Sequence, residues 1–323
     1  MKRLKLLVSF IVTVLAFLRL GVPWYHAKNL APSIEVHFLD VGQADSIFIQ
    51  TSSGVNVLID GGNNSDGERV VSYLKAQGVK RLDAVVATHP HEDHIGGLDR
   101  VLNEFPVDRV YMPNAVTTTR TYEDFLLAVK GSKARVIQAK AGVKLDVPGL
   151  EGVFLAPNGD YYEDLNNYSA VLKVTFGSVS FLFAGDAEFV SEAEMLKAGY
   201  DLRANVLKVG HHGSDSSTSS AFLAKVSPEY AVICVGAGND FGHPSDTVLK
   251  RLSDARVKVY RTDRDGNIVM RSNGKQISVS LNSSATGYGE GPSREVTAAA
   301  ASHCTHAPVT TLPLRPTASH LIR

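Results

Sequence analysis

The sequence predicts an α/β fold: a four-layer sandwich in which two sheets face each other and helices cover the outside. Three observations carry this. Short apolar or alternating runs bounded by Gly, Ser and Asn read as strands. Longer runs with apolar residues at helical spacing fall between them. Strands and helices then recur in a second half, and each half is small for an independent α/β domain.

The elements follow in order. Ile34 to Val41 begins with Ile34, Val36 and Phe38 on one face. Asp45 to Thr51 and Val55 to Asp60 are joined by Ser52-Ser53-Gly54, which is hairpin chemistry. Gly61-Gly62-Asn63-Asn64 breaks the pattern, and Glu68 to Gln77 then places Val70, Val71 and Leu74 on one side of a helix. Ala84 to Ala87 is the heart of a buried strand. A helix starting near Gly96 takes in Leu98 and Val101-Leu102, followed by a strand at Val107 to Met112 and a helix at Thr121 to Lys130. The second β-rich half is expected from Arg135. It has strands at Val171 to Phe176, Val179 to Ala184, Tyr230 to Val235 and Val257 to Thr262. Its helices are at Glu188 to Ala198 and Ser219 to Val226.

Both ends differ from this middle. Lys2, Arg3 and Lys5 precede the apolar run Leu6 to Leu18, which Arg19 cuts short of the about 20 residues a bilayer crossing needs. Residues 1–29 therefore read as a signal peptide, or as an N-terminal membrane anchor if Leu20 to Trp24 extend the span. Either is expected to place the rest of the chain outside the cytoplasm, extracellular or membrane-anchored. Residues 30–283 are expected to form the folded domain that carries the function. Residues 284–323 are rich in Ser, Thr, Ala, Gly and Pro and are expected to be a disordered tail, in which His303, Cys304 and His306 are incidental. Lys+Arg and Asp+Glu both number 33, so no wholesale polyanion-binding surface is indicated. The two cysteines, Cys234 and Cys304, are too few for a disulfide framework, and Cys234 reads as a buried small hydrophobe.

Six of the eleven histidines fall in three places, each soon after an apolar strand. In His89-Pro90-His91-Glu92-Asp93-His94, residues two apart in an extended segment point the same way, so His89 and His91 can reach one metal. Asp93 and His94 lie where the chain turns into a helix and face a neighbouring position. Gly96-Gly97 lets the backbone pass close by. Nitrogen and carboxylate donors together suit zinc, and also manganese or iron. Asp186, ending the strand Phe183-Ala184-Gly185, can bridge two ions. In Val209-Gly210-His211-His212-Gly213, one histidine completes the ligands of the first metal; His211 is favoured, with His212 the alternative. His243, in Phe241-Gly242-His243-Pro244, supplies the last imidazole. Asp60 is placed to hydrogen-bond a ligand histidine. Lys208 reads either as a contact for a substrate phosphate or as structural.

These motifs resemble the metallo-β-lactamase superfamily: an Asp at a strand end, His-x-His-x-Asp-His, a later bridging Asp and a final His. Within it the chain resembles the hydrolase domain of the DNA-uptake competence protein ComEC. That narrower likeness rests on residues 37–46, Asn166-Asn167-Tyr168-Ser169, residues 207–214, Gly242-His243-Pro244-Ser245 and Thr262-Asp263-Arg264-Asp265-Gly266. It covers about residues 33–281. The resemblance implies an αββα sandwich of the metallo-β-lactamase type and two divalent ions, Zn2+ or Mn2+. One ion takes His89, His91 and His211; the other takes Asp93, His94 and His243; Asp186 joins them. Many members carry a histidine shortly before the bridging aspartate, where this chain has Asn166-Asn167-Tyr168-Ser169. Asn166, Asn167, Ser169 and Lys208 are then candidates for positioning substrate oxygens. The channel-forming part of ComEC is missing from the matched pattern, so DNA threading is not implied. The implied activity is a phosphodiesterase or nuclease acting on extracellular single-stranded DNA, with nucleic acid as its partner and no obligate protein partner. The alternatives are hydrolysis of another ester (a phosphorylcholine or cell-wall phosphodiester, a lactone or a β-lactam), or a secreted DNA-binding module with a structural metal.

Overall fold

Strand alternation sorts the side chains of this protein into three apolar layers. In the computed structural model, which describes residues 31–282 and the backbone of 294–296, Val57 and Ile59 face the space between two sheets while Leu58 faces helices. Phe181 and Phe183 face the same central space from the other sheet, and Leu182 faces its own helices. These central strands are buried on both faces, which explains their nearly continuous apolar runs.

The first sheet contains β1 (Ile34–Phe38), β2 (Ile47–Thr51), β3 (Asn56–Ile59), β4 (Ala84–Val86), β5 (Arg109–Met112) and β6 (Arg135–Gln138). The second contains β7 (Glu151–Phe154), β8 (Leu172–Phe176), β9 (Val179–Phe183), β10 (Val206–Lys208), β11 (Tyr230–Ile233) and β12 (Lys258–Arg261), in the order β12-β11-β10-β9-β8-β7. The chain then returns to the first sheet through β13 (Asn267–Ser272), β14 (Ile277–Asn282) and β15 (Arg294–Val296). Its order is β15-β14-β13-β1-β2-β3-β4-β5-β6.

Helices α1 (Gly67–Ala76), α2 (Glu92–Ile95), α3 (Leu98–Glu104) and α4 (Arg120–Ser132) lie in the first half. Val70, Val71 and Leu74 of α1, Leu98 and Val101 of α3 and Phe125 of α4 pack on the outer face of the first sheet. Helices α5 (Phe189–Ala198), α6 (Ser220–Val226) and α7 (Asp246–Asp254) cover the second through Met195, Phe222, Leu223, Val248 and Leu252; a single turn, α8 (Thr262–Asp265), follows β12. The four-layer sandwich is the observed architecture. Ser219 and Ser245 cap α6 and α7 by accepting from the amides of Phe222 and Val248.

One expectation needs correction, and some elements went unread. The second half does not begin at Arg135: β6 pairs parallel with β5 and ends the first sheet. Helix α7 and the β13–β14 hairpin went unread in the sequence, and that hairpin adds to β1 through five antiparallel pairings from Ile34↔Ser272 to Phe38↔Ile268. Within the expected disordered tail, 294–296 pairs with β14. Backbone pairing at a sheet edge needs no apolar pattern, so composition does not reveal it. The expected leader at 1–29 and the trio His303, Cys304 and His306 lie outside the described residues. No helix among the described residues is long and apolar enough to cross a membrane.

Candidate metal centre

The sheet ends carry the chemistry. The chain leaving β3 supplies Asp60, that leaving β4 supplies His89 to His94, that leaving β9 supplies Asp186, and that leaving β10 supplies His211 and His212. Their backbones are constrained. Asp60, His211 and His212 take positive φ (58°, 47° and 51°), a conformation costly for residues with a Cβ. A Cβ at Gly96 would stand 2.3 Å from the Asn64 nitrogen, and one at Gly97 2.2 Å from the Gly61 oxygen, so only glycine lets these segments meet.

Asp93, His94, Asp186 and His212 each bring one donor atom to a common point, all within 4.8 Å of one another. His94 Nε2 lies 3.2 Å and His212 Nε2 3.5 Å from Asp186 Oδ2. Asp93 Oδ2 lies 3.1 Å from His212 Nε2 and 3.6 Å from His94 Nε2. Beside this group, His89 Nε2 is 3.0 Å from His91 Nδ1 and 3.9 Å from Asp186 Oδ2. His211 Nε2 reaches to 3.8 Å from the same oxygen. Asp186 thus stands between two sets of imidazoles.

Hydrogen bonds on the far side of each ring set the direction of its free nitrogen. His94 Nδ1 donates to Asp60 Oδ2 at 2.8 Å, and the Thr88 amide and hydroxyl hold Asp60 at 2.8 and 2.7 Å. His212 Nδ1 donates to the Cys234 carbonyl at 2.8 Å. His211 Nδ1 donates to Glu188 Oε1 at 3.1 Å, and Ser216 also donates to that carboxylate. Every one of these rings therefore turns Nε2 towards Asp186.

The residues fit cations on two grounds. The buried His94 Nε2 and Asp186 Oδ1 have no hydrogen-bond partner, which is costly without a ligand. In addition, Asp45, Asp60, Asp93 and Asp186 cluster here, and among the described residues Lys208 is the only lysine or arginine paired with any of them. Burial alone would raise the Asp186 carboxyl, but the charges of His94 and His212 hold it well below the usual carboxylate range. Burial likewise opposes the charge on His94, yet Asp186, Asp93 and Asp60 push its pKa well above the ordinary histidine value. The protein surrounds these carboxylates with positive charge, a role that bound cations would take over.

Several residues sit elsewhere than the sequence suggested. His212 occupies the place beside Asp93 and His94 that was expected for His243. His243 is outside that group; its ring lies 5.5 Å from the His211 ring, and its Nδ1 is 3.5 Å from the Gln43 amide nitrogen. His211 and His212 are adjacent in sequence, but with both in the left-handed region their ring centroids stand 6.2 Å apart, planes at 62°, and only His212 is fully buried. Lys208 cannot meet substrate. It is fully buried, ion-paired with Asp45, and donates to the Gly185 carbonyl at 3.1 Å. Asn167 is taken up by Ser191 N and Glu188, and Ser169 Oγ accepts from Asp186 N at 2.9 Å, so both serve the scaffold. The Asn166 side chain is buried too, its Oδ1 without a partner.

Sequence reasoning missed Glu188 and placed Asp45 only within the family-like segment 37–46. Asp45 lies in the β1–β2 turn, which alone suggested only a structural part, but it pairs with Lys208 and lies 3.5 Å from His212 Nδ1. Glu188, just before α5, reads as an ordinary helix-start acid. No local signal separates it from one.

The sequence model described as the metallo-beta-lactamase superfamily matches residues 39–237. ComE operon protein 3 of Bacillus subtilis (strain 168) is 34% identical over 254 residues, covering 73% of this chain and 33% of that protein. Competence protein ComA of Neisseria gonorrhoeae is 33% identical over 229 residues, covering 70% and 30%. The chain thus spans about a third of the length of these curated relatives. Among solved structures, CmlA, a diiron beta-hydroxylase from Streptomyces venezuelae, aligns with a TM-score of 0.50 at 16% identity, over 74% of this chain and 54% of that one. That likeness concerns the fold alone. With relatives among the competence proteins and the family pattern running through both sheets, the chain belongs to the metallo-beta-lactamase superfamily.

Proposed function

We propose that this chain is a two-metal phosphodiesterase that cuts single-stranded DNA. The observation that carries the reading is the Asp186 carboxylate set between two groups of imidazoles. His89, His91 and Asp186, with His211 as a fourth donor, would hold one divalent ion. Asp93, His94, His212 and Asp186 would hold the other. Zinc suits this donor set, and manganese is compatible with it. When bound, such a pair supplies a water acidified to near neutrality and positive charge for a developing oxyanion.

The chain's own groups do the positioning. Asp60 and the Cys234 carbonyl lock His94 and His212 in the tautomer that presents Nε2. Lys208 ties Asp45 to Gly185, next to Asp186. Glu188 holds His211 at the open edge, where substrate oxygens arrive. The choice of nucleic acid is supported by relatives whose names include competence proteins. The basic-then-apolar start supports a place outside the cytoplasm, extracellular or anchored in the membrane by an uncleaved N-terminal segment.

The test uses the purified full chain: metal content, then cleavage of labelled single-stranded DNA with and without chelator. Cleavage that chelator stops and added metal restores is expected. A protein that carries metal at both positions but leaves the strand intact would refute the substrate.

A further inference from the structure

At the mouth of the centre stands a ring that the metal chemistry does not use. Phe241 is 71% exposed, yet its ring stacks on that of His243, with centroids 5.8 Å apart and planes 26° from parallel. His243 in turn meets His211 edge-on at 5.5 Å, and His211 Nε2 is 3.8 Å from Asp186. A run of rings therefore leads from the bridging carboxylate to solvent.

The loop that presents Phe241 is pinned. Asn239 Nδ2 donates to the carbonyls of Gly236 and His243 at 2.9 and 2.7 Å, and its Oδ1 accepts from the amides of Phe241 and His243 at 3.1 Å each. Gln43 Oε1 accepts from Gly236 N at 3.1 Å, while its amide nitrogen faces His243 Nδ1. These contacts fix the loop backbone that carries the phenyl, and its ring already rests on His243, so less ordering entropy is left to lose on binding.

We propose that Phe241, backed by His243, is a stacking platform for a nucleobase of the strand whose neighbouring phosphodiester lies at the His/Asp centre. This rests on the phosphodiesterase reading and deepens it: the substrate is a strand with unpaired bases. Every base has a π-face, so such a platform grips single strands without reading their sequence. A base already paired and stacked in a duplex cannot offer that face to the phenyl.

The test is binding of the full chain in chelator, followed by fluorescence anisotropy. The probes are a short labelled thymidylate strand and an abasic strand of equal length. The parent protein should bind the base-bearing strand at least about fivefold tighter. Phe241→Ala should erase that preference, and Phe241→Trp should keep it, with indole emission quenched by the base-bearing strand alone. Leu127→Ala, an exposed residue on α4, should leave the preference intact. No preference in the parent, or a preference that survives Phe241→Ala, overturns the platform. Cleavage with added metal is scored separately. If neither strand is cut, the phosphodiesterase reading falls, while the chelator data still decide the platform.

Discussion

The two sides of the Asp186 carboxylate are built to different standards. On one side His94 and His212 are buried, and each Nδ1 is held by a buried acceptor, the Asp60 carboxylate and the Cys234 carbonyl. On the other, His89 is buried too, but His211 is 24% exposed and leans on Glu188, itself half-buried, and His91 stands partly exposed at the start of a short helix. A ligand ring fixed by buried partners loses little entropy when it coordinates; one held by a half-buried carboxylate keeps some freedom. The closed side should therefore bind metal more tightly, and the open side is where substrate can approach. The comparison teaches that one carboxylate can join a structural-quality half-site to an adaptable one.

Four changes would break or sharpen this contrast. The largest effect is expected from Asp186→Asn, which weakens the donor common to both sides. Metal analysis should show both ions lost and hydrolysis at background; loss from the open side alone would break the claim of a shared ligand. Next is Lys208→Met, which strands Asp45 as a buried unpaired charge. Breaking such a pair costs about 3–5 kcal/mol, read as a large fall in the denaturation midpoint. Adding Asp45→Asn should recover much of it, because the stranded charge is then gone. A mild effect of Lys208→Met alone would mean that the closed side does not depend on that buried pair.

Asp60→Ala comes third. Losing the partner of a ligand histidine typically costs ~10–100-fold in metal affinity. Competition with a chromogenic chelator should show that loss for the tighter ion only. Glu188→Gln should be the smallest, about tenfold or less on the weaker ion, since Gln retains an acceptor oxygen and Ser216 Oγ lies 3.4 Å from His211 Nδ1. If Glu188→Gln and Asp60→Ala prove equal, the two sides are not built differently.

Much of this site was legible before folding. His-x-His-x-Asp-His after a buried strand is local information, because backbone spacing alone brings His89 to His91 and Asp93 to His94. Asp60 could be read as support for a histidine because strand ends carry such groups. Less accessible were choices between equals. His211 and His212 share one sequence context, and only the left-handed backbone at both positions sends His212 inward and leaves His211 at the edge. Lys208 looked available for substrate because its burial depends on β9 and β11, its neighbours in the second sheet. Asp45 lies 163 positions before its lysine partner, and no periodicity marks a pairing of that kind.

By itself, then, the sequence determined the layers and most of the candidate donors. Alternation and helical spacing act over a few residues, and the imidazoles and carboxylates follow strand ends that this patterning defines. Tertiary structure alone decided that the last hairpin completes the first sheet beside β1 and that His212 takes the place expected for His243. Those outcomes depend on contacts between residues far apart in the chain. Their energies come from shared burial and geometry that no local stretch contains.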